Sequence, residues 1–130
     1  MNLCAVLSQL ERHDDALQHV MLSIILLQDE FLQISLPYAF EGEGSNEEIN
    51  DERLAVLAIA YHNLGVEFEH LKRFEEAVKI YKKALKLSKE YLSNNDQLIQ
   101  NLTKVVNSAT SQIEDQRKTF HETKRQRYER

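Results

Sequence analysis

The chain has 130 residues, 42% hydrophobic and 28% charged, with a net charge of −5. That balance excludes an intrinsically disordered polypeptide, and three Gly and one Pro are too few for the turns of a β-rich fold. The longest apolar run, residues 20–27, falls far short of the roughly 20 residues a bilayer span needs.

The charge is unevenly spread. Residues 1–50 hold nine acids against one base, Arg12, whereas residues 116–130 hold six bases against two acids. The two ends should therefore attract different partners, or each other in an end-to-end assembly. The single cysteine, Cys4, has no internal disulfide partner, and the first residues carry neither a basic region nor a cleavage site. Both point to a soluble, cytoplasmic protein.

Five helical stretches follow from the apolar spacing. The first contains Leu3, Val6, Leu7 and Leu10; the second contains Ala16, Leu17, Val20, Ile24, Leu27, Phe31 and Ile34. Pro37 and the acidic, Gly-containing residues 41–46 interrupt the pattern, and Ser45 with Glu48, and then Asn50-Asp51, supply capping chemistry for a new start. In the third stretch Leu54, Leu57, Tyr61, Leu64, Phe68 and Leu71 alternate steps of three and four, which puts them on one stripe. The fourth contains Phe74, Ala77, Val78, Tyr81, Ala84, Leu85 and Ser88. The Ser93-Asn94-Asn95-Asp96 turn caps a fifth, with Leu98, Leu102, Val105, Val106, Ala109 and Ile113. Beyond Ile113 only Phe120 and Tyr128 continue the stripe, so the end of this helix is expected to project into solvent or fray.

Two segments align without gaps, Leu3 onward upon Leu64 onward. Small residues coincide at Cys4/Gly65, Ala16/Ala77 and Ser23/Ala84. Large apolar ones coincide at Leu3/Leu64, Leu7/Phe68, Leu10/Leu71, Val20/Tyr81 and Ile24/Leu85. Small residues let antiparallel helices approach closely while the large ones fill the space between pairs. The repeat therefore predicts stacked helical hairpins.

The signature Tyr61, Leu64-Gly65, Phe68, Ala77, Tyr81 and Ala84 resembles a tetratricopeptide repeat, strongest over residues 58–91. The family's closing proline is replaced by Lys89, so the fourth helix is expected to run on toward Leu92. Residues 1–30 resemble a second copy that begins partway through its first helix. The turn at residues 93–98 is similar to the longer-period repeats of kinesin light chains. The resemblance implies an all-α fold: an α-solenoid of about two helix hairpins plus a long C-terminal helix. Expected divisions are a partial first hairpin at 1–35, an acidic insertion loop at 36–50, a second hairpin at 51–92, and a third-repeat or capping helix with a basic end at 93–130. The matched segments lie 61 residues apart, against a family period of roughly 34; the surplus falls between Gln28 and Ala58.

No residue pattern is catalytic, so no enzyme and no cofactor is expected. His62 and His70 are eight residues apart, roughly 12 Å of helix rise, too far to share one metal ion. Cys4 sits at a small-residue position between packed helices, where a buried structural thiol is the ordinary case. The bases Lys79, Lys82, Lys83, Lys86 and Lys89 read as a solvated outer face of the fourth helix, with Glu75 and Glu90 at neutralising spacings. Nucleic acid is not an expected partner, because the chain is acidic and its basic end carries only two aromatics.

By the resemblance, a partner-binding groove is lined by Ile59, His62, Val66, Glu69 and His70, fitting an apolar or weakly basic peptide or helix. Met1, Ala5, His62 and Val66 stand where relatives that clamp chaperone tails carry Lys and Asn, so that partner class is not expected. Arg117, Lys118, Lys124, Arg125 and Arg127 form a candidate contact for an acidic protein such as tubulin. The resemblance implies a non-catalytic scaffold or adaptor in a larger chain or complex. The alternative is a cytoskeletal, ciliary or motor-associated subunit docked through its basic helix and insertion.

Overall fold

A computed structural model describes residues 3–35 and 46–129, with side chains for 3–29 and 51–129. Five helices follow in order: α1 (Leu3–Gln9), α2 (His13–Ser35), α3 (Asn46–His70), α4 (Phe74–Tyr91) and α5 (Asp96–Tyr128). Among the described residues there is no strand, and no helix is long and apolar enough to cross a membrane. The all-α expectation holds.

Consecutive helices pack against one another, α1 on α2, α2 on α3, α3 on α4 and α4 on α5. Their stripes meet in one core that includes Cys4, Leu7, Ala16, Val20, Leu64, Phe68, Ala77, Tyr81, Ala84, Leu102 and Ala109. Leu64 and Ala77, two positions of the repeat, are 5% and 0% exposed. Leu102 of α5 is fully sealed; burying such a side chain is worth about 1.5–3 kcal/mol, which fixes α5 to α4.

The two hairpins turn in the same way, residue by residue. Glu11 and Lys72, which align in the repeat, have φ of 57° and 62°. The next amides close the same wide ring: Arg12 N–H donates to Leu7 C=O at 2.9 Å, and Arg73 N–H to Phe68 C=O at 2.8 Å. This is a helix C-terminus sealed through one left-handed residue, a position that glycine fills most easily. Here both hairpins use a side-chain-bearing residue instead.

Two expectations need adjustment. An insertion loop over 36–50 is expected, but residues 46–50 already belong to α3. Residues 36–45, with Pro37 and the Gly-containing stretch, lie outside the described residues, as do Met1 and Asn2. Second, Ser23 aligns with Ala84, yet Ala84 is fully buried and Ser23 is exposed. The end of α5 projects into solvent, one of the two outcomes expected: it stays helical to Tyr128 while every residue from 114 to 129 is exposed.

The remaining boundaries follow their local signals. α4 runs to Tyr91, where the Leu92 amide donates to Ser88 C=O at 2.8 Å, as the absence of a closing proline implied. The side chain of Asn95 accepts the Leu98 amide at 3.3 Å and starts α5, an ordinary N-cap.

Candidate recognition face on helix α3

Ile59, His62, Val66 and Glu69 recur at steps of three or four along α3, and His70 lies four beyond Val66, so the five share one face roughly 16 Å long. Four of them are tied to neighbours. The His62 ring lies 5.7 Å from that of Tyr81, tilted by 43°. Glu69 Oε2 accepts the Tyr81 hydroxyl at 2.7 Å. Val66 is half-buried against the core. His70 stacks flat on His13 of α2, centroid to centroid 4.2 Å and 9° from parallel. Ile59, 47% exposed, stands at the other end of the face, beside a groove bordered by α1 and α2.

Beneath this face lies a buried polar cluster that sequence reasoning missed. Glu67 is 2% exposed. Its Oε2 accepts from His13 Nδ1 at 2.8 Å, and its Oε1 lies 4.0 Å from Cys4 Sγ. His13 thus joins the hairpins twice, through Glu67 and through the ring of His70. Glu67 lies three residues after Leu64 and four before Leu71, at the edge of the apolar stripe, but its charge gives no sign that it is internal.

Electrostatics keep the nearby groups neutral. Burial, then the bond to Glu69 and the charges of Glu69 and Glu67, push the Tyr81 phenol well above its ordinary range. Burial, then Glu67, raises the Cys4 thiol too, which opposes the thiolate that a nucleophile requires. Among the described residues no three His, Cys, Asp or Glu converge as metal ligands.

The basic residues sit on the exposed half of α5. Arg117 reaches Glu75 at 3.4 Å, Lys118 reaches Asp115 at 3.9 Å, and Arg125 reaches Glu129 at 2.9 Å. These are exposed contacts of little energetic weight. Among the described residues Lys124 and Arg127 have no acidic partner, and they share a shallow surface with Phe120 and Tyr128. The lysines of α4 are exposed as expected; Lys86 meets Glu90 at 3.9 Å, and Lys83 Nζ stands 4.8 Å from the centre of the Tyr61 ring.

The crossing of α3 and α4 is tight. A Cβ on Gly65 would fall within 3.0 Å of three ring carbons of Tyr81, so the small residue is a steric requirement. The Tetratricopeptide repeat family model matches residues 58–91. This segment is a tetratricopeptide repeat. Comparison with curated proteins and with solved structures gives no match. The tetratricopeptide repeat spans α4 and the part of α3 that carries the face described above. The first hairpin shares its turn geometry.

Proposed function

We propose that this protein is a non-catalytic scaffold or adaptor that binds a protein segment on the α3 face formed by Ile59, His62, Val66, Glu69 and His70. A tetratricopeptide repeat is a protein-interaction module. The observation that carries the finer reading is the fixing of Glu69 and His70 by Tyr81 and His13. A surface whose polar groups are already oriented loses less side-chain entropy on binding. The mixture of Ile59 and Val66 with an acid and two imidazoles suits an apolar or weakly basic helix.

The test is selection of peptides that bind the full chain, followed by affinity measurement with a Glu69→Lys/His70→Glu double variant. Binding should weaken at least tenfold, while Tyr81→Phe, which removes one hydrogen bond and no charge, should weaken it less. Unchanged affinity in the double variant sinks the assignment.

The bare cations Lys124 and Arg127 on a projecting helix favour a second reading, a cytoskeletal or motor-associated subunit docked on an acidic protein such as tubulin. The similarity of residues 93–98 to kinesin-light-chain repeats suits it, as would a cytoplasmic or ciliary location. Microtubule co-sedimentation should then fall with Lys124→Glu/Arg127→Glu and remain with the α3-face variant.

A further inference from the structure

The two hairpins meet at the place where α2 begins and α3 ends. There His13 and His70 lie face to face, ring centres 4.2 Å apart, while His13 Nδ1 holds Glu67 Oε2 at 2.8 Å. Glu67 is buried, His13 half-buried and His70 exposed. One imidazole is thus anchored on an internal carboxylate, and the other rests on it from the solvent side. Histidine is the side chain whose charge ordinarily changes between pH 5 and 8. Among the described residues Glu67 is the only carboxylate in contact with either ring. From α1 comes the neutral thiol of Cys4, and from α4 comes Tyr81, which engages Glu69 of α3. The neighbouring cations Arg12 and Arg73 are bound to Asp15 and Glu76. One carboxylate can balance one proton on the ring pair, and nothing in contact balances a second. In the second hairpin Phe74 aligns with His13 and shares a cleft with Ile113 of α5, so that junction has an apolar ring at the same position.

We propose that the His13–His70 stack is a pH-sensitive latch between the hairpins. With one proton on the pair, Glu67 balances the charge and the rings stay flat on each other. A second proton sets two cations face to face, and the exposed ring of His70 swings into water. The turn end of the α2–α3 contact then opens. Its other end is held by the Gln28–Tyr61 bond and by the core residues Val20, Ile24, Leu57 and Ala60. The direction follows from proton counting. A closed joint that resists the second proton binds fewer protons than an open one, so closure is complete above the imidazole range and is lost as pH falls through it. Acid therefore loosens one hairpin against the other without unfolding either. The latch needs no partner, and it stands or falls apart from the reading of the α3 face.

The test is hydrogen exchange of the full chain at about pH 7.5 and about pH 5, either side of the imidazole range, with each rate corrected for its intrinsic pH dependence. Protection in the first turns of α2 and the last turn of α3 should fall roughly tenfold or more in acid, with α5 unchanged. His70→Phe keeps a flat ring against His13 that takes no proton, and should abolish the fall. His70 is exposed, so the circular dichroism of this variant should match the wild type. His19→Gln removes an exposed imidazole of α2 and should leave the fall as it is. A second measurement uses the wild type alone: nuclear Overhauser contacts between the rings of His13 and His70 should vanish over the same interval. No fall in the wild type, an equal fall in α5, an equal fall in His70→Phe, its loss in His19→Gln, or ring contacts that persist in acid would each overturn the proposal.

Discussion

At the crossing of its two helices the second hairpin sets Gly65 against the buried ring of Tyr81, and the first has Cys4 and Val20 at the same two positions. The volume one partner lacks, the other supplies. The turns at Glu11 and Lys72 are alike in backbone angle and in hydrogen bonding, while the side chains that fix the helix separation have been exchanged. The backbone of a hairpin is thus specified by the turn and by the smallness of one partner, and the identity of the large partner is free to vary.

Swapping residues between hairpins tests that account, and the largest effect belongs to the crossing. Gly65→Cys brings the first hairpin's residue under Tyr81 and should cost about 3 kcal/mol in urea unfolding, the upper part of the overpacking range. Adding Tyr81→Val should recover a substantial part of that loss. A single variant as stable as wild type would show that the ring moves aside freely.

His13→Ala comes next. It leaves Glu67 buried beside a thiol too weak to replace the imidazole, and about 2–3 kcal/mol should be lost. Hydrogen exchange should accelerate first in α1 and α2, because His13 is their polar link to α3. Uniform acceleration through α4 and α5 would mean that the hairpins open as one unit.

Tyr81 has no phenolic counterpart in the first hairpin, so it gives the second a response to alkali. The folded protein holds the phenol neutral beyond its ordinary range, whereas the unfolded chain releases the proton near pH 10. The unfolded state is therefore favoured as pH rises; stability is full below about pH 10 and declines above it. Tyr81→Phe should flatten this decline and cost about 1 kcal/mol at neutral pH for the lost bond to Glu69. An equally steep decline in the variant would assign it elsewhere.

The smallest effect compares the turns directly. Lys72→Gly and Glu11→Gly each relieve a left-handed side chain, partly offset by the greater freedom of glycine when unfolded, for a net gain of about 0.5 kcal/mol. Unequal gains, measured as thermal midpoints, would break the equivalence of the two turns.

Much of this was legible in the sequence. The stripe from Leu54 to Leu71 and the small positions Cys4/Gly65 and Ala16/Ala77 located α1, α3 and the hairpins, because periodicity and size act locally. Ser23 misled, since alignment reports what a position could pack against and burial depends on which helix is actually beside it. The cluster of His13, Glu67 and His70 was not legible either: it unites residues 54 apart in the chain, and a charged residue on an amphipathic helix is ordinarily solvent-facing. Of the candidate face, the sequence located five positions on α3, but not that Tyr81 and His13 hold two of them.

The packing order has an electrostatic consequence. Two helices stand between α2 and α5, at roughly 8–10 Å per interaxial step, while at physiological salt a charge is felt over only about 8 Å. The acids Asp14 and Asp15 of α2 and the bases of α5 are consequently blind to each other, and the net charge of −5 describes neither. A ligand arriving at one pole meets that pole's field alone, so added salt should loosen contacts at the two poles independently.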